Sequence, residues 1–127
     1  MTAKKCSAAE RAGRLVKARQ FLGAAELIEN ASESTDLVDA HITLCVHAGI
    51  AGADVVCCAR LGLHAQGQSH REAIDLLSRA DAALASDLAK LLDLKTRAGY
   101  GASASSPADR KMASRAATRL VRAAMTV

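Results

Sequence analysis

Four side chains in the middle of the chain are of types that do chemistry: His41, Cys45, His47 and Asp54. His41 and Cys45 are four apart, the spacing at which two metal ligands share one helical face. His47 falls about 200° around a helix from Cys45, so the three cannot converge on one ion. No metal site is implied, and the histidines read as core or interface residues. Asp54 is a carboxylate in an apolar run, and burying it requires a partner charge or a route to water. Lys95, Arg97 and Arg60 are candidate partners, and the other solution is a groove around Asp54 that admits a nucleotide. Arg60 and His64 are four apart, with His70 just beyond. Such a pair could do acid–base work on RNA, the arginine steadying a phosphate, although Gly62 interrupts a continuous face. There is no glycine loop to cradle phosphate and no paired-carboxylate motif. Cys45, Cys57 and Cys58 sit in apolar surroundings that keep thiols protonated and inert.

The elements that must hold these groups are helices. The chain of 127 residues is rich in alanine, with one proline and two aromatics, Phe21 and Tyr100. That length and composition predict one all-α domain with close helix contacts, behind a flexible N-terminus over 1–6. Leu44 to Ala59 is apolar on nearly every side, interrupted by His47 and Asp54. It is shorter than the roughly 20 apolar residues of a membrane span, so it predicts a central helix wrapped by others. The small residues Ala48 to Ala53, with Gly49 and Gly52, predict close approach of another helix, supplied in so small a protein by a second copy. Cys6, Cys45, Cys57 and Cys58 read as reduced thiols in a cytoplasmic protein, and Lys4 and Lys5 are not followed by the apolar run of a signal peptide.

Local signals divide the chain. Ser7 to Glu10 and Ser69 to Glu72 read as capping boxes, and Ser106-Pro107 as a cap with a first-turn proline. Asn30 to Thr35 is a polar break. A second helix runs from Asp36 to Leu61 with Gly62 as its stop, and Leu63 to Gln68 is a loop. Asp81 restarts or continues the helix opened at Ser69, Leu84 to Leu94 carry an apolar helix to Ala98, and Gly99 to Ser105 is a flexible segment. No strand signal is present. The expectation is an antiparallel bundle of about five helices. Net charge is +4, and the ends are basic. From Lys95 onward there are seven basic residues against one acid, with Lys111, Arg115, Arg119 and Arg122 as an outward stripe. Such ends suit nucleic acid or an acidic protein.

The order of these features resembles the HEPN domains, named for higher eukaryotes and prokaryotes nucleotide-binding. Carrying the resemblance are Arg19-Gln20-Phe21-Leu22 with Ala24-Ala25-Glu26, the small-residue helix with Asp54, Gly67-Gln68-Ser69-His70 with Leu76-Leu77, Leu91 to Tyr100, and the helix after Ser106-Pro107. It covers about residues 10 to 125. It implies a dimeric helical bundle that is either a metal-independent ribonuclease toxin or a non-catalytic partner of a nucleotidyltransferase in toxin–antitoxin pairs, with no cofactor. The ribonuclease members carry an arginine, four to six residues, then a histidine. Here Lys95 stands at the first position and Tyr100 or Gly101 at the second, and lysine and tyrosine do not share a proton near neutral pH as histidine does. The expectation is therefore an interaction module that binds a nucleotidyltransferase, RNA or a nucleotide through Asp54, Lys95, Arg97, Tyr100, Arg115 and Arg119. The alternative is a ribonuclease with a variant site made from Arg60, His64 or His70 together with Lys95 to Tyr100.

Overall fold

The computed structural model describes residues 3–31, 35–67 and 69–127. Among these, in chain order, are strand β1 (Ala3–Lys5), helix α1 (Ala8–Ala31), a 3-10 turn at Thr35–Leu37, α2 (Val38–Leu61), strand β2 (Leu63–Ala65), α3 (His70–Ala80), α4 (Ala82–Tyr100) and α5 (Pro107–Thr126). The helices begin where short-range chemistry predicts. Ser7 and Glu10 each satisfy the other's backbone N–H, as do Ser106 and Asp109, and Ser69 Oγ accepts from the Glu72 N–H at 3.2 Å. Gly62 ends α2 at φ 70°, a left-handed conformation suited to glycine, with its N–H on the Cys58 carbonyl. Asp81 does two jobs. Its N–H closes α3 onto Leu77, and its carboxylate accepts the Leu84 N–H that opens α4. The helix therefore restarts there.

α2 is the axis of the bundle and packs against all four other helices. Ile42, Cys45, Val46, Ala48 and Val56 on it are essentially inaccessible to water. By length and composition it is apolar enough to cross a membrane, but most of that surface lies beneath the other helices, the place of a core helix. The expectation that Gly49 and Gly52 meet a second copy is corrected. A Cβ at Gly49 would strike the Leu91 side chain, and one at Gly52 would lie 3.2 Å from the Leu120 backbone. The close approach is made by α4 and α5 of the same chain.

Three further expectations change. Within the segment 1–6 read as flexible, the described residues 3–6 are held, because Ala3–Lys5 pairs antiparallel with Leu63–Ala65, in the segment read as a loop. Strands this short leave no alternating pattern to read. Cys6 is joined to Cys58 by a disulfide, while Cys45 and Cys57 are free and buried. The pairing holds β1 against the end of α2, and it removes the reduced state of all four cysteines as an argument for the cytoplasm. α4 continues through Gly99 and Tyr100, and Ser105 is pinned by its N–H to the Asp39 carboxylate at 3.1 Å. Part of the Asn30 to Thr35 break (32–34), and Gln68, lie outside the described residues.

Candidate ligand-binding cavity

Three helical stripes meet at one cavity of about 130 Å³. α2 contributes Ile50, Ala53, Asp54 and Cys57, and α4 contributes Leu88, Leu92 and Lys95. Each set follows the three- and four-residue steps that line up one face of a helix. The start of α3 adds Ser69, His70 and Ala73, and Ala65 and Gly67 close the remaining side. The polar groups are thus Asp54, Ser69, His70 and Lys95, set among aliphatic walls.

Asp54 is paired with Arg14, not with Lys95, Arg97 or Arg60. Arg14 Nη1 donates to Asp54 Oδ2 at 2.8 Å, and Arg14 Nη2 lies 3.4 Å from His64 Nε2. His64 Nδ1 lies 2.8 Å from the Ala65 carbonyl, so it carries a proton and leaves Nε2 to accept from Arg14. Burial pushes the Asp54 carboxyl up to about 6, against the pull of the Arg14 guanidinium. It is therefore mostly ionised at pH 7 and mostly neutral at pH 5. Burial also pushes the neighbouring Cys57 thiol up to about 12, so it is a poor nucleophile.

The Asp54 shift predicts a stability profile. The folded chain holds this proton at a pH where the unfolded carboxyl, at 3.8, has lost it. Its contribution is full below about pH 4, is lost as pH rises through 6, and is flat above. Thermal or urea unfolding of the wild type and Asp54→Asn from pH 4 to 8 should show their stabilities diverging by on the order of 2–3 kcal/mol across that window. Parallel profiles would refute the shift.

The other expected site residues do not gather. Arg60 Nη1 donates to the Ala80 carbonyl at 3.1 Å and lies 3.4 Å from Asp81 Oδ2, at the far end of α3 from His70. An 11-residue helix separates those ends by about 16 Å. His64 is buried in β2 and engaged at both ring nitrogens. Arg60, His64 and His70 therefore form no joint acid–base site. Arg97 pairs with Asp109 at 2.9 Å and ties α4 to the start of α5. Arg119 makes a two-point contact with the buried Asp87 carboxylate, at 2.7 and 2.9 Å, so its charge is largely spent within the fold. Tyr100 is 87% exposed at the end of α4, and Arg115 is exposed on α5. Of the six expected binding residues, only Asp54 and Lys95 share the cavity.

The histidines divide. His41 is buried, and Glu29 Oε2 accepts from its Nε2 at 3.2 Å and from Ser114 Oγ at 3.1 Å, joining α1, α2 and α5. Burial pushes its pKa down, which Glu29 partly opposes. His47 is exposed and packs against Phe21, ring centres 5.4 Å apart. Sequence reasoning missed Arg14, Ser69 and Cys57 as parts of this region. For Arg14 there was a signal: it lies four residues before Ala18 and eleven before Ala25, the two most buried residues of α1. A cation on an apolar face needs an anion, and Asp54 is one.

Neither a family model, a curated protein nor a solved structure matches this chain.

Proposed function

We propose that the chain is a non-catalytic binding module whose cavity takes a compact ligand with an anionic group: a phosphorylated sugar, free or as part of a nucleotide. The observation that carries this is the meeting of Asp54, His70 and Lys95, from three helices, in one largely aliphatic cavity. Lys95 and the positive end of α3 at Ser69–His70 suit a phosphate. Asp54, ionised above pH 6, suits a hydroxyl or amino donor. Size sets the limit, because about 130 Å³ is well below the roughly 300–1,000 Å³ of pockets for drug-sized molecules. The resemblance to HEPN domains supports the nucleotide class. It also supports the setting, a toxin–antitoxin or defence-type system with a nucleotidyltransferase or nucleic acid as partner. Of the ribonuclease alternative only His70 and Lys95 share the cavity, whereas Arg60 and His64 are engaged by Asp81, Ala80, Arg14 and Ala65 and Tyr100 lies outside it, which favours binding over cleavage.

Calorimetric titration with sugar phosphates and mononucleotides at pH 7.5 tests the reading. Binding is expected, weakened about tenfold or more by Lys95→Met and by Asp54→Asn, and unchanged by Tyr100→Ala. Affinity should fall as pH drops below 6. Absence of binding by every phosphate ligand, or indifference to Lys95→Met, would reject it. Cleavage of structured RNA in chelator, lost in His70→Ala, would put the ribonuclease in its place.

A further inference from the structure

The disulfide and the cavity share a wall. β1 rests on β2, and β2 in turn touches α2 and α3. The sheet has these two strands, so among the described residues the ladder partner of Leu63–Ala65 is Ala3–Lys5 alone. Ala65 lines the cavity, with Gly67 just beyond it. His64, the residue before, lies 3.4 Å from Arg14, and Arg14 holds the Asp54 carboxylate of the cavity. Both the wall and the charge of the cavity therefore depend on β2, and β2 depends on β1. A two-stranded ladder of three residues is marginal in water by itself. Beyond it, the Cys6 N–H donates to the Gly62 carbonyl at 3.2 Å. The firm tie is covalent: Cys6, directly after β1, is bonded to Cys58, and Cys58 adjoins Cys57, which lines the same cavity.

We propose that the Cys6–Cys58 bridge is a redox latch on the cavity. Oxidised, it clamps β1 on β2 and keeps the wall at Ala65 and Gly67 in place. Reduced by a dithiol, it lets β1 leave, and the freed N–H and C=O groups of Leu63–Ala65 turn to water. That draws His64 off Arg14 and opens the cavity beside Cys57. The bundle stays folded, because its core is built from the five helices and takes only Ala3, at its margin, from β1. Cys6 is half-buried and Cys58 is 7% exposed, so the reductant meets Cys6, beside the exposed cations of Lys4 and Lys5 that favour an incoming thiolate. One thiolate of the dithiol bonds to Cys6 Sγ, the S–S bond breaks, and Cys58 Sγ leaves and takes a proton. The second thiol then closes on the first, and Cys6 leaves as a thiol. The chain gains two electrons and two protons, and the dithiol becomes a disulfide. Control of affinity by the latch rests on the ligand reading above, whereas the opening at Cys57 does not.

Alkylation by iodoacetamide, read at each cysteine by peptide mass spectrometry, follows the opening without any ligand. The forms compared are the oxidised chain, the chain reduced with dithiothreitol and desalted, and the Cys6→Ser, Cys58→Ser double variant. Cys57 is expected to react about tenfold faster in both unbridged forms. Cys45, buried and outside the cavity lining, is the internal control and should not change. Circular dichroism should show equal helicity. Ribose 5-phosphate, titrated calorimetrically, should bind the oxidised chain about tenfold more tightly than the double variant, and by reciprocity should slow reduction of the bridge. No acceleration at Cys57, equal acceleration at Cys45, or loss of helicity in the unbridged forms would overturn the latch. Equal affinity with and without the bridge would overturn its control of binding. Binding to neither form counts against the ligand reading alone, and Cys57 then decides the latch.

Discussion

Gly52→Leu is expected to yield no stably folded protein. The atoms facing Gly52 are the Leu120 carbonyl carbon and oxygen at 3.2 Å and the Val121 nitrogen at 3.3 Å. These are backbone atoms of α5 and cannot rotate away. A leucine there must push α5 off α2, opening the core at Ala116, Ala117 and Leu120. Overpacking by a single methyl commonly costs about 1–3 kcal/mol, so Gly52→Ala should fall in that range even after the helix gains from losing a glycine. Four carbons cost more, out of a total stability of about 5–15 kcal/mol. Gly49→Ala is the control. Its nearest neighbour is the end of the Leu91 side chain, which can change rotamer, so its cost should be smaller. Circular dichroism and thermal melts read the series. A Gly52→Leu protein that melts within a few degrees of wild type would contradict the α2–α5 packing.

The second large effect is expected at the disulfide. Cys6 and Cys58 close a loop with a sequence separation of 52. The chain-entropy estimate for a loop of that length is about 4 kcal/mol, with measured bridges typically worth about 2–4 kcal/mol. Reduction, or Cys6→Ser, should lower the melting temperature by roughly 10 °C. It should also free β1, which is held otherwise by the three-residue ladder to β2 and by the Cys6 N–H to the Gly62 carbonyl. The remaining thiols are poor partners for exchange, since burial pushes both Cys45 and Cys57 up to about 12. Melting with and without a reducing agent, together with thiol counting on the unfolded chain, decides the matter. Equal melting temperatures, or four titratable thiols without reductant, would dismiss the bridge as a stabilising element.

The features legible in the sequence were those that act over a few residues. Ser7, Ser69 and Ser106 as caps and Gly62 as a stop depend on donors within one turn, and each stands where expected. The all-round apolar character of α2 correctly demanded a wrapped helix. It did not say whose helices do the wrapping, because a glycine is equally silent about α5 and about a second copy. The Arg14–Asp54 pair spans 40 residues, and the Cys6–Cys58 bridge spans 52. Helical spacing shows that Arg14 lies on the apolar face of α1 and that Asp54 needs a partner, but no local pattern joins two residues 40 apart, so the sequence points to Lys95, Arg97 and Arg60 instead. Arg60 and His64 take different partners for a related reason. Proximity in sequence counted for nothing once Gly62 turned the chain and Arg60 was recruited to close the junction of α3 and α4.

The same bridge decides how the molecule would answer a pull on its two ends. Tension entering at the N-terminus crosses from Cys6 directly to Cys58 and bypasses α1 and most of α2. At about 3.4 Å per extended residue, roughly 180 Å of chain is withheld from stretching. The load falls on the chain beyond Cys58, so α5 and α4 peel away from an α1–α2 pair that stays closed in a covalent ring. A single-molecule extension trace would gain that hidden length only after the sulfur–sulfur bond is cut.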